Sequence, residues 1–131
     1  MAAGGAVRRQ WSATRARGER GSVTAELALV LPAVVVVLLV CLTLGAAVLG
    51  QVRCADAARA AARAAAIGEP SSVVVAVARD LAGSDAAVTV DEDGGWVEVR
   101  VSRRVASRVP GVGSVRAEAS ARAWVEPGAG P

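Results

Sequence analysis

The chain has 131 residues, of which 53% are hydrophobic, yet it contains no Phe, Tyr or His. The formal charge of +3 arises in the first 21 residues, whose five arginines and one acid give +4, whereas residues 53–131 hold equal numbers of both signs. A folded domain without a basic excess is not expected to bind nucleic acid. Without His, and without Cys at zinc-ligand spacing or beside a base, we expect no catalytic residue, no metal site, no cofactor and no enzyme activity.

The basic segment at the start of the chain precedes a long apolar run. Residues 1–21 are rich in Gly and Arg, a composition typical of disordered segments. Arginines next to a membrane span favour the cytoplasmic side. We therefore expect residues 1–21 to be a cytoplasmic leader of a single-pass cell-membrane protein, with the C-terminal part on the extracytoplasmic side.

Residues 27–52 carry no charge and consist mainly of Leu, Val and Ala. Because about 20 apolar residues cross a bilayer as a helix, this run predicts a transmembrane helix over residues 22–52. Pro32 lies near the start of that helix, where a slight kink is its expected effect. A cleaved signal peptide is the competing interpretation, but its apolar region is typically about 7–15 residues long, and this run is longer.

The helix is expected to continue beyond the membrane over residues 53–68. This stretch is rich in Ala, the best helix former, and nothing breaks it before Gly68-Glu69-Pro70. The two cysteines, Cys41 and Cys54, would then lie about 20 Å apart along one helix, which excludes an intrachain disulfide. They are interpreted as small apolar fillers, with an intersubunit disulfide through Cys54 as the alternative.

Residues 69–126 are expected to form a small extracytoplasmic domain. Ser71-Ser72 can cap a second helix that ends at Gly83. Its apolar positions have helical spacing, although the Val73–Val75 run could instead form a strand. The residues predicted to share its apolar face are Val74, Val77, Ala78 and Leu81.

Three stretches then alternate between apolar and other residues, as strands do. The first two are joined by residues 91–95, an acidic and glycine-rich turn that is a poor match to a calcium loop because strands flank it. The apolar positions are Ala86, Val88 and Val90, then Val97, Val99 and Val101, then Val115, Ala117, Ala119, Ala121, Ala123 and Val125. The predicted fold class is α+β: a long N-terminal helix, a short helix and a three-stranded antiparallel sheet, which the outer half of the long helix or the second helix must cover. Residues 127–131 are expected to be a disordered tail.

The start of the apolar run carries the candidate functional residues. Glu26 follows Gly21 by five positions, and no charged residue follows it before Arg53. An ionisable residue beside a membrane span is costly without a partner, which makes it a functional candidate. The alternative is that Glu26 only begins the helix, where a carboxylate suits the helix dipole.

The segment from Gly21 to Pro32 resembles the processing site of type IV pilin-like proteins. The run Glu26-Leu27-Ala28-Leu29-Val30-Leu31-Pro32, with the Ala- and Arg-rich continuation at residues 57–65, is similar to TadE-like proteins, minor pilins or pseudopilins of tight-adherence (Flp-type) pilus systems. The resemblance implies that a prepilin-type peptidase cuts after Gly21, that Ser22 becomes the new N-terminus, and that Glu26 meets the amine of a neighbouring subunit. The implied partners are the membrane, this peptidase, other pilin-like subunits and pilus assembly platform proteins. Leu27 stands where the family often has Phe, and together with Ser22 this difference favours a minor component.

Small residues late in the apolar run would let neighbouring helices approach closely. They are Gly45, Ala46, Ala47 and Gly50. Together with Pro32 they form the predicted helix-packing set. The competing function is an exported small binding protein, or an accessory subunit, that uses the helix as a simple membrane anchor.

Overall fold

The computed structural model describes residues 12–128, with side chains from Gly21 onward. The chain divides into two units, one ending at Leu39 and one beginning at Val40. Most of the predicted leader and the last residues of the predicted tail lie outside the described residues. The described residues of the first unit form the helix alone, and the second unit comprises the outer half of that helix and the small domain.

Helix α1 spans Ser12–Ala66 and contains Pro32. It begins at Ser12 and not at Ser22, so the prediction that the whole leader lacks structure is wrong for its last residues. Ala and Arg are good helix formers, and their frequency in this part of the sequence favours a helix despite Gly18. The helix passes Pro32 without ending, even though proline cannot donate the hydrogen bond to the carbonyl of Ala28.

The C-terminus of α1 closes with a Schellman motif. Gly68 has a φ of 83°, in the left-handed region that glycine adopts without strain. The Gly68 N–H donates to the Ala65 carbonyl at 3.0 Å, and the Glu69 N–H donates to the Ala64 carbonyl at 3.1 Å. The predicted stop at Gly68-Glu69-Pro70 is therefore confirmed.

Helix α2 spans Ser71–Ala82, so Val73–Val75 is helical and the strand alternative is excluded. The capping prediction is wrong, because Pro70 occupies the N-cap position and no side-chain cap forms. The buried face consists of Val74, Ala78 and Ala82, while Leu81 is 45% exposed. The predicted apolar face is thus rotated slightly, which places small Ala side chains against the sheet.

Strands β1, β2 and β3 form an antiparallel sheet in chain order. They span Ala87–Asp93, Trp96–Ala106 and Ser114–Trp124. The first hairpin turn is tighter than predicted, because residues 91–93 continue β1 in register with β2 and only Gly94 and Gly95 form the turn. Both glycines have positive φ, 58° and 83°, which is the conformation of a tight hairpin turn.

The core lies between the sheet and the two helices. The inner face of the sheet contributes Val97, Val99, Val101 and Ala117, all buried. Both helices cover it, which confirms the α+β fold and the need for a helical cover. The helical side of the core is made of small residues: Cys54, Ala57, Ala58, Ala61 and Ala62 from α1, and Val74, Ala78 and Ala82 from α2.

Candidate functional site

Residues 21–38 of α1 offer an apolar surface that no other described part of the chain covers. From Gly21 to Leu38 every residue is exposed, including large side chains such as Leu29 at 77%. Within the described residues, α1 is the one helix long and apolar enough to cross a membrane. Exposed Leu and Val over this length are costly in water but favourable in hydrocarbon. The helix therefore fits a single-pass membrane anchor.

The predicted processing residues lie on an uninterrupted turn of this helix. Gly21 and Ser22 are both exposed, and no atom lies within 4 Å of the point where a Cβ on Gly21 would stand. Glu26 is exposed one turn further on, and none of the side chains that the structure describes forms an ion pair with it. The carboxylate is thus available for a partner outside the described residues.

The predicted helix-packing residues fall into two groups. Gly45 is exposed, and a Cβ added there would meet no atom within 4 Å, while Ala46 and Ala47 are half-buried. Gly50 is buried, and a Cβ there would stand 2.8 Å from Val105 Cγ2. The prediction for Gly50 needs correction. This glycine packs against the sheet of the same chain, so a neighbouring helix has no room there.

A set of hydrogen bonds that sequence analysis did not identify joins α1 to the sheet. The Thr43 hydroxyl accepts a hydrogen bond from the Arg108 N–H at 3.1 Å, and Thr43 is buried. Gln51 uses both ends of its amide on the edge strand β3: its Nε2 donates to the Glu118 carbonyl, and its Oε1 accepts from the Glu118 N–H at 3.2 Å. Thr43 and Gln51 are polar residues within an otherwise apolar run. This is the sequence feature that could have identified them as contact residues.

Cys54 completes the contact between α1 and β3. Its side chain is fully buried, and its thiol donates to the Ala117 carbonyl at 3.7 Å. Burial raises the pKa of the Cys54 thiol, so the protonated form is favoured. Cys41 is exposed and both cysteines are free, in agreement with the excluded intrachain disulfide. The buried position of Cys54 also excludes the intersubunit disulfide in this fold.

At the end of the sheet that holds the β1–β2 turn, an aromatic pair lies next to carboxylates of β1 and β2. Trp96 and Trp124 lie directly opposite each other with ring centroids 5.2 Å apart, edge to face. Glu98 pairs with Arg122 at 2.7 Å, and this hydrogen bond lowers the pKa of the Glu98 carboxyl. No cluster of potential metal ligands occurs among the described residues. The ion pair and the aromatic pair both join β2 to β3.

The segment that carries these exposed residues is the part of the chain that matches a known protein family. Residues 21–63 match the family model of TadE-like protein. The resemblance drawn from Glu26 and the Ala- and Arg-rich continuation is therefore confirmed over this segment. The TadE-like segment begins at the proposed processing residue Gly21 and ends inside the helical half of the core. This match supports a pilus-associated protein.

A curated relative has a different description. The chain is 47% identical over 77 residues to a protein of Mycobacterium tuberculosis called Apoptosis inhibitor Rv3655c. The match covers 59% of this chain and 61% of the relative, so the chain spans less than two thirds of that protein's length. No solved structure matches the chain. The relative's name describes that protein and identifies no site here.

Proposed function

We propose that the chain is a TadE-like minor pilin or pseudopilin, a single-pass membrane component of tight-adherence pilus assembly or a related secretion system. The observation that carries the proposal is the family match over residues 21–63, on a helix in which residues 21–38 are all exposed. A surface of this kind acts by packing in the membrane, with lipid on some sides and neighbouring helices on others. Catalysis is not part of the proposed role.

In this proposal the leader stays cytoplasmic and residues 69–126 lie outside the cytoplasm. A prepilin-type peptidase at the cytoplasmic face of the membrane cuts between Gly21 and Ser22. The cut frees a positive amine on Ser22 and removes the arginines of the leader. It thereby creates the charge that Glu26 lacks within the described residues.

Glu26 is the proposed subunit-pairing acid. A carboxylate near hydrocarbon is strongly attracted by an opposite charge because the local dielectric constant is low. The free amine of a neighbouring pilin-like subunit would supply that charge. Pro32, Gly45, Ala46 and Ala47 would then lie along the helix surface that meets other subunits or the assembly platform.

The alternative is an exported small binding protein, or an accessory subunit, held by a simple anchor. Under that alternative the exposed helix touches only lipid, and Glu26 is a residue that begins the membrane segment. Both functions require membrane insertion, so insertion cannot distinguish them. They differ in whether a Glu26 substitution impairs assembly.

The test compares Glu26→Ala with Glu26→Asp, which keeps the charge. Membrane level is measured in the membrane fraction, and assembly is measured by co-purification with the pilus platform proteins. We expect both variants to insert normally, Glu26→Ala to lose co-purification and Glu26→Asp to retain most of it. Equal co-purification of Glu26→Ala and the unaltered chain would support the simple anchor.

A further inference from the structure

The side of the sheet that faces away from α1 is here called the outer face. Acidic residues lie at one end of the sheet, and arginines lie at the other end of this face. At the hairpin end, Trp96 and Trp124 lie opposite each other beside the acidic residues 91–93. At the other end, Arg104 lies directly opposite Arg116. The loop that joins β2 to β3, residues 107–113, follows at once and carries Arg108. Acidic residues and arginines thus stand at opposite ends of the sheet, with the ion pairs of Glu98 and Glu118 between them.

Arg104, Arg108 and Arg116 are here called the arginine cluster. None of them forms an ion pair with a carboxylate among the described residues. By contrast, Arg100 pairs with two carboxylates, and Arg103 and Arg122 pair with one each. Like charges directly opposite in an antiparallel pair destabilise the sheet. An anion bound from outside the chain would relieve the repulsion between Arg104 and Arg116.

The loop beside the arginine cluster is hydrogen-bonded to α1 at Thr43. The Arg108 N–H donates to the Thr43 hydroxyl at 3.1 Å, which fixes residues 107–113 next to Thr43. Between Ser22 and Leu42 the helix rises about 30 Å, the thickness of the hydrocarbon core of a bilayer. A span of this length that starts at Ser22 would end beside Thr43, the residue that the loop contacts.

The loop cannot enter the hydrocarbon, because its irregular backbone would lose hydrogen bonds that lipid tails cannot replace. Its apolar side chains nevertheless face outward at the tip: Val112 is 54% exposed and Val109 is half-buried. Apolar side chains at a loop tip beside arginines are typical of a surface that rests in the headgroup layer.

We propose that Arg104, Arg108 and Arg116 bind the phosphates of anionic phospholipids in the leaflet from which the small domain emerges. The bidentate geometry of arginine suits a phosphate, and each bound headgroup removes the repulsion between Arg104 and Arg116. Val112 inserts at the level of the headgroups and holds the loop there. The contact fixes the small domain against the membrane, and it depends on the anchor but not on the pilus role.

The first test uses the full chain with dioleoyl-phosphatidylglycerol and dioleoyl-phosphatidylcholine in mixed micelles, with lipid retention measured by native mass spectrometry. The variant is Arg104→Gln/Arg116→Gln, and the charge-matched control is Arg59→Gln/Arg63→Gln on the exposed face of α1. At about fivefold per arginine, we expect the variant to bind phosphatidylglycerol about 25-fold more weakly and the control to bind it normally. Equal loss in the two variants, or no loss in the first, would overturn the proposal.

The second test measures thermal unfolding of the small domain in nanodiscs of each lipid. Phosphatidylglycerol should raise the unfolding midpoint of the unaltered chain, and this rise should vanish in Arg104→Gln/Arg116→Gln. In phosphatidylcholine that variant should unfold at a higher temperature than the unaltered chain, because the like-charge pair is gone. A phosphatidylglycerol-dependent rise that survives in the variant would contradict the proposed site.

The third test locates the loop. A spin label on Val112→Cys, in a Cys41→Ala background that leaves only buried Cys54, is compared with one on Asp93→Cys at the opposite end of the sheet. We expect the label at position 112 to be relaxed by oxygen dissolved in the bilayer and the label at position 93 by a water-soluble nickel complex. Equal access of both labels to the nickel complex would place the loop away from the membrane.

Discussion

Gly50 is the residue at which α1 approaches the sheet most tightly. A Cβ there would stand 2.8 Å from Val105 Cγ2 and 3.3 Å from Ala117 Cβ. Valine has a stiff side chain that cannot move aside freely. We expect Gly50→Val to destabilise the small domain by about 1–3 kcal/mol, as overpacking of a core does. Thermal unfolding of the detergent-solubilised chain, followed by the fluorescence of Trp96 and Trp124, measures this loss.

The matched control is Gly45→Val on the same helix. No atom lies within 4 Å of a Cβ at Gly45, so this substitution should leave the unfolding midpoint nearly unchanged. Similar midpoints for the two variants would mean that the contact of Gly50 with the sheet is looser than these distances indicate.

Glu98 makes the stability of the sheet depend on pH. Its hydrogen bond and ion pair with Arg122 lower the pKa of the carboxyl below its ordinary value of 4.5. The folded domain therefore binds this proton less tightly than the unfolded chain does. The stabilising contribution of Glu98 is complete above the ordinary value and is lost as the pH falls through the lower, folded-state value.

We therefore expect Glu98→Gln to lower the unfolding midpoint at neutral pH and to have little effect in strong acid. The control is Glu126→Gln, since this exposed carboxylate has no ion pair within the described residues. Unfolding midpoints are measured across the acidic range for all three chains. A constant difference between Glu98→Gln and the unaltered chain at every pH would contradict the assignment.

At the scale of elements, the first hairpin depends on two glycines with positive φ. Gly94 has a φ of 58°, and a Cβ there would meet no atom within 4 Å. The cost of Gly94→Ala is therefore backbone strain alone, about 1–2 kcal/mol. The control is Gly113→Ala in the second connection, where a Cβ also meets no atom within 4 Å and φ is not positive. Chemical denaturation should separate the two variants by this amount, and equal stabilities would show that Gly94 carries no strain.

The elements themselves were largely predictable from the sequence. Alternating Val and Ala identified the strands and their buried faces, and Gly68 identified the end of α1. Local chemistry explains these successes, because strand alternation and helix termination depend on neighbouring residues. The ends of β1 and the N-cap of α2 were missed: Gly94-Gly95 suffices for the turn, and Pro70 takes the cap position ahead of Ser71.

Contacts between distant elements could not be predicted in the same way. The sequence gives no indication that Thr43 meets Arg108, that Gln51 pairs with Glu118, or that Gly50 faces Val105. These pairs are far apart along the chain and depend on how the sheet packs on the helix. The membrane segment was consequently predicted to extend through residue 52, although the small domain already covers one side of α1 from Thr43.

At the scale of the whole molecule, an exposed apolar helix precedes a small domain with an Ala and Val core. The family match ends within the part of α1 that packs on the sheet, so the TadE-like segment includes both an anchor and half of a core. We propose that this helix is released from its leader as the helices of pilin-like proteins are.

The most direct measurement is the intact mass of the membrane-extracted protein after co-expression with its cognate prepilin-type peptidase. We expect a chain that begins at Ser22 and has lost Trp11 and five arginines. Gly21→Arg should remain full length under the same conditions, because a long charged side chain replaces hydrogen at the scissile position. A full-length mass for the unaltered chain would contradict cleavage between Gly21 and Ser22. A chain that starts within residues 45–55, as a signal peptidase would produce, would contradict it equally.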